Sequence, residues 1–195
     1  MENKIKKFFS SIGLFGDDSG NRAVGIDIGS SEIKVVEIKK KGGKAVLETY
    51  GAISLGSYAN LDAGRVTYLP IEKLVEALKE VLKQSGVTTT SAALAIPVQS
   101  SLIFNIELPA QLNEGDMDSI IETEARKYIP VPITEVSLDY FPLPKKETSF
   151  QEANNPDLPL IPAEKTRVLV VATQNDTIAK YRSLVSQCSL LSSFF

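Results

Sequence analysis

The segment from residue 23 to residue 38, AVGIDIGSSEIKVVEI, constrains the fold more than any other part of the sequence. Its apolar residues alternate on both sides of a short Gly-Ser-Ser turn, which is typical of two antiparallel strands joined by a hairpin. A second polar turn with paired glycines, KKKGGK at Lys39 to Lys44, precedes another alternating run from Ala45 to Ile53. The sequence therefore predicts a three-stranded antiparallel meander at the start of the fold.

The first turn has the chemistry of a phosphate-binding loop. Gly29 has no Cβ, so the backbone can approach a phosphate closely, and the N–H groups of Gly29, Ser30 and Ser31 can form an anion-binding concavity. Lys34 supplies a positive charge. Asp27 is suited to holding Mg²⁺, usually through water. A plain hairpin uses the same turn residues, and the spacing alone does not distinguish the two.

A helix and an apolar strand follow the meander. Pro70 suits the first turn of the helix and Gly86 its end. One face of the helix carries the apolar residues Ile71, Leu74, Val75, Leu78, Val81 and Leu82. Ser91 to Ile96, SAALAI, fits a strand covered on both faces. This order matches the start of the ribonuclease-H-like core, and the predicted fold class is α/β.

Residues 98–188 predict a separate α+β module with the order strand–helix–strand–strand–helix. The strands are expected at 102–108, 136–141 and 167–173, and Asn113 and Asn175 are expected to cap the two helices. Five prolines between Pro142 and Pro162 predict an exposed loop.

Composition excludes several classes of function. The chain has no histidine and one cysteine, Cys188, so it has no Ser-His-Asp triad, no internal disulfide and no usual zinc site. The net charge of −3 argues against nucleic acid as a partner. No signal peptide and no stretch of about 20 apolar residues is recognisable, so we expect a cytoplasmic protein.

The first 21 residues form an arm with an amphipathic pattern. Its apolar positions fall on one helical face, with lysines around them: Ile5, Phe8, Phe9 and Ile12, and Lys4, Lys6 and Lys7. Residues 1–15 are therefore a candidate for peripheral membrane association or partner binding. A short helix that packs on its own domain has the same pattern.

Two stretches carry a family resemblance. DIGSSEIK, residues 27–34, resembles the first phosphate motif of the actin and FtsA superfamily, and the longer VGIDIGSSEIKVVEI is similar to the start of the PilM family of type IV pilus assembly. EARKYIPVPITEVSLDY, residues 124–140, resembles a characteristic PilM segment, as do Gly64 to Val66 and TRVLVVATQNDTIAKY, residues 166–181. The resemblance extends over about residues 22–188.

The resemblance implies an architecture and a set of ligands. It implies that residues 22–97 form part of an actin-like subdomain 1A and that residues 98–188 form an inserted, SHS2-like subdomain 1C. Members bind ATP with Mg²⁺, which assigns Asp27, Gly29, Ser30, Ser31 and Lys34 to one side of a nucleotide site, with Asp27 linked to the metal. Members also bind the cytoplasmic tail of PilN between the two subdomains and connect to pilus platform and motor proteins at the inner membrane.

Residues 189–195, SLLSSFF, do not resemble the family, and the chain is expected to represent only its N-terminal half. We therefore expect half of an ATP site, weak or absent ATP binding, and no enzymatic activity by this chain alone. Three alternatives stay open: an FtsA-like cell-division membrane adaptor, half of a sugar or acetate kinase, and a truncated fragment without function.

Overall fold

The computed structural model describes residues 22–109, 114–144 and 165–194. The predictions for the N-terminal arm, for Asn113 and for most of the proline-rich stretch concern residues outside these ranges. The regular elements are β1 (Arg22–Ile28), β2 (Glu32–Lys41), β3 (Lys44–Ser54), α1 (Ile71–Gln84), β4 (Ser91–Ala95), β5 (Ser101–Pro109), α2 (Met117–Ala125), β6 (Val136–Pro142), β7 (Lys165–Gln174), α3 (Asn175–Gln187) and β8 (Leu191–Phe194).

The chain forms two compact units, and the second is inserted into the first. The first unit contains the residues up to Pro97 and those from Thr177 onward, and the second contains Val98–Asp176. The first unit has a five-stranded sheet in the order β3-β2-β1-β4-β8. The predicted antiparallel meander is confirmed, because β1 pairs antiparallel with β2 and β2 with β3.

One face of the first sheet is covered by helices. Strand residues such as Val24, Ile26 and Ile33 pack into a core with Leu78 and Val81 of α1. At Gly51 of β3, helix α1 comes so close that a Cβ would lie 1.9 Å from Ser85 Oγ. A residue without a side chain is needed there because the helix end and the strand approach at backbone distance.

The expectation for β4 is only partly met. Ala92 and Leu94 are buried on the helix side, whereas Ala95 is exposed. Within the part of the chain that the structure describes, β4 is therefore not covered equally on both faces.

The predicted boundary at residue 188 is wrong. Helix α3 was assigned to the second module, but its apolar residues belong to the core of the first unit: Tyr181, Leu184, Val185 and, just after it, Cys188. The predicted tail also has regular structure, since β8 pairs parallel with β4. The periodicity of α3 shows that it has an apolar face, but periodicity does not specify which sheet that face covers.

The second unit is an α+β module, as predicted. Its antiparallel sheet has the order β5-β7-β6, and α2 contributes Ile121 and Ala125 to a core with Val168 and Val170. The side chain of Asn175, expected to cap a helix, accepts a hydrogen bond from Ser137 Oγ at 2.8 Å and donates one to the Thr134 carbonyl at 3.1 Å.

A buried carboxylate connects β2 to the segment before β4. The side chain of Glu37 is only 1% exposed and accepts hydrogen bonds from Thr88 N–H at 2.7 Å, Thr88 Oγ1 at 2.8 Å and Arg22 at 3.1 Å. Burial raises the pKa of Glu37, but the hydrogen bonds from Thr88 and Arg22 outweigh burial, and the pKa lies below its usual value. The ionised carboxylate thus connects three parts of the first unit: β1, β2 and the segment before β4.

Replacing Glu37 with glutamine should destabilise the protein. E37Q keeps the size of the side chain but removes the charged acceptor, so we expect the free energy of unfolding at pH 7 to fall by about 2 kcal/mol. Because the folded-state pKa is lowered, the carboxylate stabilises the fold above its unfolded pKa, about 4.3, and this contribution disappears as the pH falls through the folded value. Urea unfolding between pH 7 and pH 3 should show the two proteins converging in acid.

The matched control is Glu48→Gln. Glu48 also contacts Arg22, at 3.4 Å, but its side chain is partly exposed, so E48Q should cost less than about 0.5 kcal/mol. Equal stability of E37Q and the unchanged chain at pH 7 would contradict the role assigned to Glu37.

Candidate functional site

The predicted phosphate turn is a tight hairpin between β1 and β2. Gly29 donates its N–H to the Glu32 carbonyl at 2.9 Å, and a Cβ on Gly29 would lie 3.2 Å from that oxygen. Of the three N–H groups expected to face a ligand, the one on Gly29 is therefore engaged in closing the turn. Ser30 is exposed and Ser31 is half-buried.

The turn is braced by the segment that follows β3. The Ser31 carbonyl accepts a hydrogen bond from Leu55 N–H and the Ser30 carbonyl accepts one from Thr67 N–H, both at 2.8 Å. The Ser30 carbonyl and the Ser31 N–H belong to the same trans peptide, in which C=O and N–H point in opposite directions. The N–H of Ser31 therefore points away from Thr67. Leu55 and Thr67 are both buried, so the brace is anchored in the body of the first unit.

The bracing segment is itself closely packed. Gly56 accepts a hydrogen bond from Leu61 N–H at 2.9 Å, and a Cβ on Gly56 would lie 2.2 Å from the Asp62 carbonyl oxygen. Gly64 has a φ of +83°, a conformation that favours glycine, and donates its N–H to Ser54 Oγ at 3.3 Å. The Gly64–Val66 motif thus leads into Thr67, which contacts the turn directly.

Asp27 and Lys34 lie next to this turn on one face of the sheet. They are direct cross-strand partners, and both are exposed. Lys34 Nζ forms an ion pair with Glu32 at 2.8 Å while its side chain remains 56% exposed. The hydrogen bond and charge of Glu32, and then the charge of Asp27, raise the pKa of Lys34.

Glu32 is the site residue that the sequence analysis missed. Residues two apart in a strand share a face, so the Glu-x-Lys pattern at residues 32–34 was a usable signal. With Glu32 included, the cluster contains one cation and two carboxylates. A phosphate group would meet excess negative charge there unless a divalent cation came with it.

The residues present fit Mg²⁺ only as a water-linked or phosphate-linked ion. Among residues 22–109, 114–144 and 165–194, no group of three or more acidic, cysteine or histidine side chains could hold a metal. Asp27 would supply one carboxylate, and water and phosphate oxygens would complete the octahedral shell that Mg²⁺ prefers.

An α/β sheet of this topology, interrupted by an inserted α+β unit, defines a protein of the actin-like class, as predicted from the sequence. The sequence model of the family described as "Type IV pilus assembly protein PilM" matches residues 25–193, and the chain belongs to this family. The match includes most of residues 189–195, so the expectation that this tail is foreign to the family is wrong.

Solved structures that are similar to the chain include two from pilus and secretion machineries. One, described as "PilM-PilN type IV pilus biogenesis complex", matches with a TM-score of 0.63 and 25% identity, over 87% of this chain and 45% of the other. The present chain thus spans less than half the length of that PilM-family structure. The other is the cytoplasmic domain of EpsL, an inner-membrane component of the type II secretion system of Vibrio cholerae, with a TM-score of 0.48 and 9% identity, over 88% of this chain and 55% of the other.

None of the helices in the described ranges combines the length and the apolar character that crossing a bilayer requires.

Adding a methyl group at Gly56 should disturb the brace under the turn. In G56A the new Cβ would meet backbone atoms of Asp62 and Leu61, which cannot rotate away, so we expect a loss of about 1–3 kcal/mol in unfolding free energy. The amide NMR signals of Leu55, Thr67 and Ser31 should shift. G115A is the matched control, because a Cβ at Gly115 has no neighbour within 4 Å. Equal effects of G56A and G115A would contradict the packing described.

Proposed function

We propose that this chain acts in type IV pilus assembly by binding the cytoplasmic tail of a PilN-like inner-membrane protein. The observation that carries the proposal is the family match over residues 25–193, together with the 25% identity to a structure described as a PilM–PilN complex. That match extends over 87% of the chain, so it involves most of both units. The family match favours this function over the FtsA-like cell-division adaptor and over a kinase.

The second unit has an edge strand suited to receiving an extended peptide. β5 pairs only with β7, which leaves one side of its backbone without a strand partner in the described sheet. Exposed apolar residues lie just before β5, at Val98, and at its start, at Leu102 and Ile103. Extended peptides bind such edges through main-chain hydrogen bonds, and neighbouring apolar side chains add specificity. We therefore assign the tail to the edge formed by β5.

A peptide with the N-terminal residues of the cognate PilN should bind the full chain in a fluorescence anisotropy titration, whereas a scrambled peptide should not. I103K places a charge on the proposed edge and should weaken binding at least about tenfold. F141K is the matched control. Phe141 lies on β6, the other edge strand of this sheet, and on the same face as Ile103. The two residues have similar exposure, 42% for Phe141 and 45% for Ile103.

The outcomes separate the function from the site. Absence of peptide binding to a folded sample would reject the proposed function. Binding that F141K weakens and I103K leaves unchanged would reject the assignment to β5 while leaving PilN binding intact.

A second proposed role is weak, Mg²⁺-dependent binding of ATP phosphates at the turn formed by Gly29, Ser30 and Ser31. Asp27 would orient the hydrated metal and Lys34 would contact a phosphate oxygen. Support comes from the cross-strand pairing of Asp27 with Lys34. The excess negative charge that Glu32 adds supports the dependence on Mg²⁺, because a phosphate group without a divalent cation would be repelled. Solvent-exposed charge pairs contribute little free energy, so the cluster supports only low affinity. We propose no catalytic step for this chain.

Isothermal titration should show an ATP dissociation constant weaker than about 1 mM with Mg²⁺, and no binding with EDTA. K34Q and D27N should each lower the NMR shift changes that Mg-ATP produces at Ser30 and Ser31. K73Q is the matched control, since Lys73 also forms an exposed ion pair, with Glu76 at 2.7 Å. Micromolar binding, or binding that does not need Mg²⁺, would contradict this role.

With these roles, the chain would act on the cytoplasmic side of the inner membrane. There it would connect a PilN-like tail to the platform and motor proteins of the pilus machinery. Residues 1–15 would add a peripheral contact with the membrane.

A further inference from the structure

Strand β5 presents apolar side chains on both faces of its sheet. Successive residues of a strand point to opposite faces, so Leu102, Phe104 and Ile106 share one face, and Ile103 lies on the other. Ile106 is buried in the core of the second unit together with Ile121 of α2, whereas Leu102 is 40% exposed. The face of β5 that α2 covers therefore becomes open toward the beginning of the strand.

An aromatic pair lies on this open part of the face. The rings of Phe104 and Tyr128 are stacked, with their centroids 4.8 Å apart and their planes at 24°. Phe104 is partly buried against the core of the second unit, and Tyr128 is 51% exposed, so the pair connects the core to the surface. We call Leu102, Phe104 and Tyr128 the aromatic patch.

The turn that follows α2 fixes the backbone at Tyr128. The N–H of Tyr128 donates a hydrogen bond to the Ala125 carbonyl at 2.9 Å, and the N–H of Ile129 donates one to the same carbonyl at 3.2 Å. Ala125 and Ile129 are both buried, so the residues on which this turn depends are held in the core. A tyrosine ring that is already placed loses little further conformational freedom when a ligand binds to it.

A peptide paired with the free edge of β5 would meet this patch. Side chains that lie opposite each other on neighbouring strands are about 5 Å apart on the same face. Every second residue of the peptide would therefore lie beside Leu102 and Phe104, and the residues between them would lie on the face of Ile103. A polar side chain beside the patch would lose water without gaining a hydrogen bond from Leu102 or Phe104.

On the basis of the PilN-binding function proposed above, we propose that Tyr128 is a specificity-determining residue of the β5 edge. The aromatic patch selects a tail that carries aliphatic or aromatic side chains at alternate positions on the patch side. The main-chain hydrogen bonds of the edge would hold any extended peptide, so the patch supplies discrimination that the backbone does not.

Fluorescence anisotropy with the full chain and a peptide of the N-terminal residues of the cognate PilN tests this role. Y128S should weaken binding at least about fivefold, because truncation of an aromatic anchor removes a large apolar contact. Y128F keeps the ring and should bind within about twofold of the unchanged chain. Y50S is the matched control and should also stay within about twofold, since Tyr50 is an exposed tyrosine on β3, an edge strand of the other sheet.

Peptides with single replacements of an apolar residue by serine distinguish a direct contact from an indirect effect of the substitution. Replacements two positions apart should weaken binding to the unchanged chain. At least one of them should have less than about a twofold further effect in Y128S, because the contact is already lost there, and should keep its full effect in Y50S. Circular dichroism would verify that each variant is folded. If Y128S does not fold, L102S should show the same dependence on peptide position.

The outcomes separate the role of Tyr128 from the function on which it rests. Full binding by Y128S, with I103K still weakening binding, would overturn the role of Tyr128 and leave PilN binding at β5 intact. Equal losses in Y128S and Y50S would also overturn it, as would serine replacements that all keep their full effect in Y128S. Absence of binding of the cognate peptide to the folded, unchanged chain would reject the proposed function, and the role of Tyr128 with it.

Discussion

The register between β1 and β2 determines how the rest of the first unit is built. Ile28 is opposite Ile33 and Asp27 is opposite Lys34, so isoleucines face the helices and the charged pair faces outward. A shift of one residue would exchange the two faces, placing Asp27 and Lys34 in the core. The tight turn closed by Gly29 and Glu32 prevents that shift, and the same turn presents Ser30 and Ser31 at the edge of the sheet.

This register also explains why a carboxylate can be buried. Glu37 lies on the helix-facing side of β2, where an unpaired charge would be strongly unfavourable. Thr88 and Arg22 supply hydrogen bonds that hold it ionised. The pairing with Thr88 fixes the entry to β4, which runs parallel beside β1. One buried side chain thereby coordinates elements separated by about fifty residues in sequence.

Local elements were predictable because their signals are local. Alternation in residues 23–38 and the glycine pair at 42–43 indicated the meander, and the apolar stripe of α1 indicated a helix. The sheet that α3 covers and the strand that β8 pairs with were not predictable. Both depend on where the chain re-enters the first unit after the inserted second unit. Glu32 was missed for a different reason: its pairing with Lys34 requires knowing which face of β2 is exposed.

The amino-acid sequence by itself determined the order of most elements, the Gly-Ser-Ser turn between β1 and β2 and the resemblance to the PilM family, since each depends on residue types at short spacing. The tertiary structure decided that α3 and β8 complete the first unit, because the apolar face of a helix is buried only by a sheet that the chain reaches in three dimensions. It also decided that Gly29 donates its N–H to the hydrogen bond that closes the turn and that Lys34 forms an ion pair with Glu32. Both results follow from cross-strand geometry, which composition does not encode.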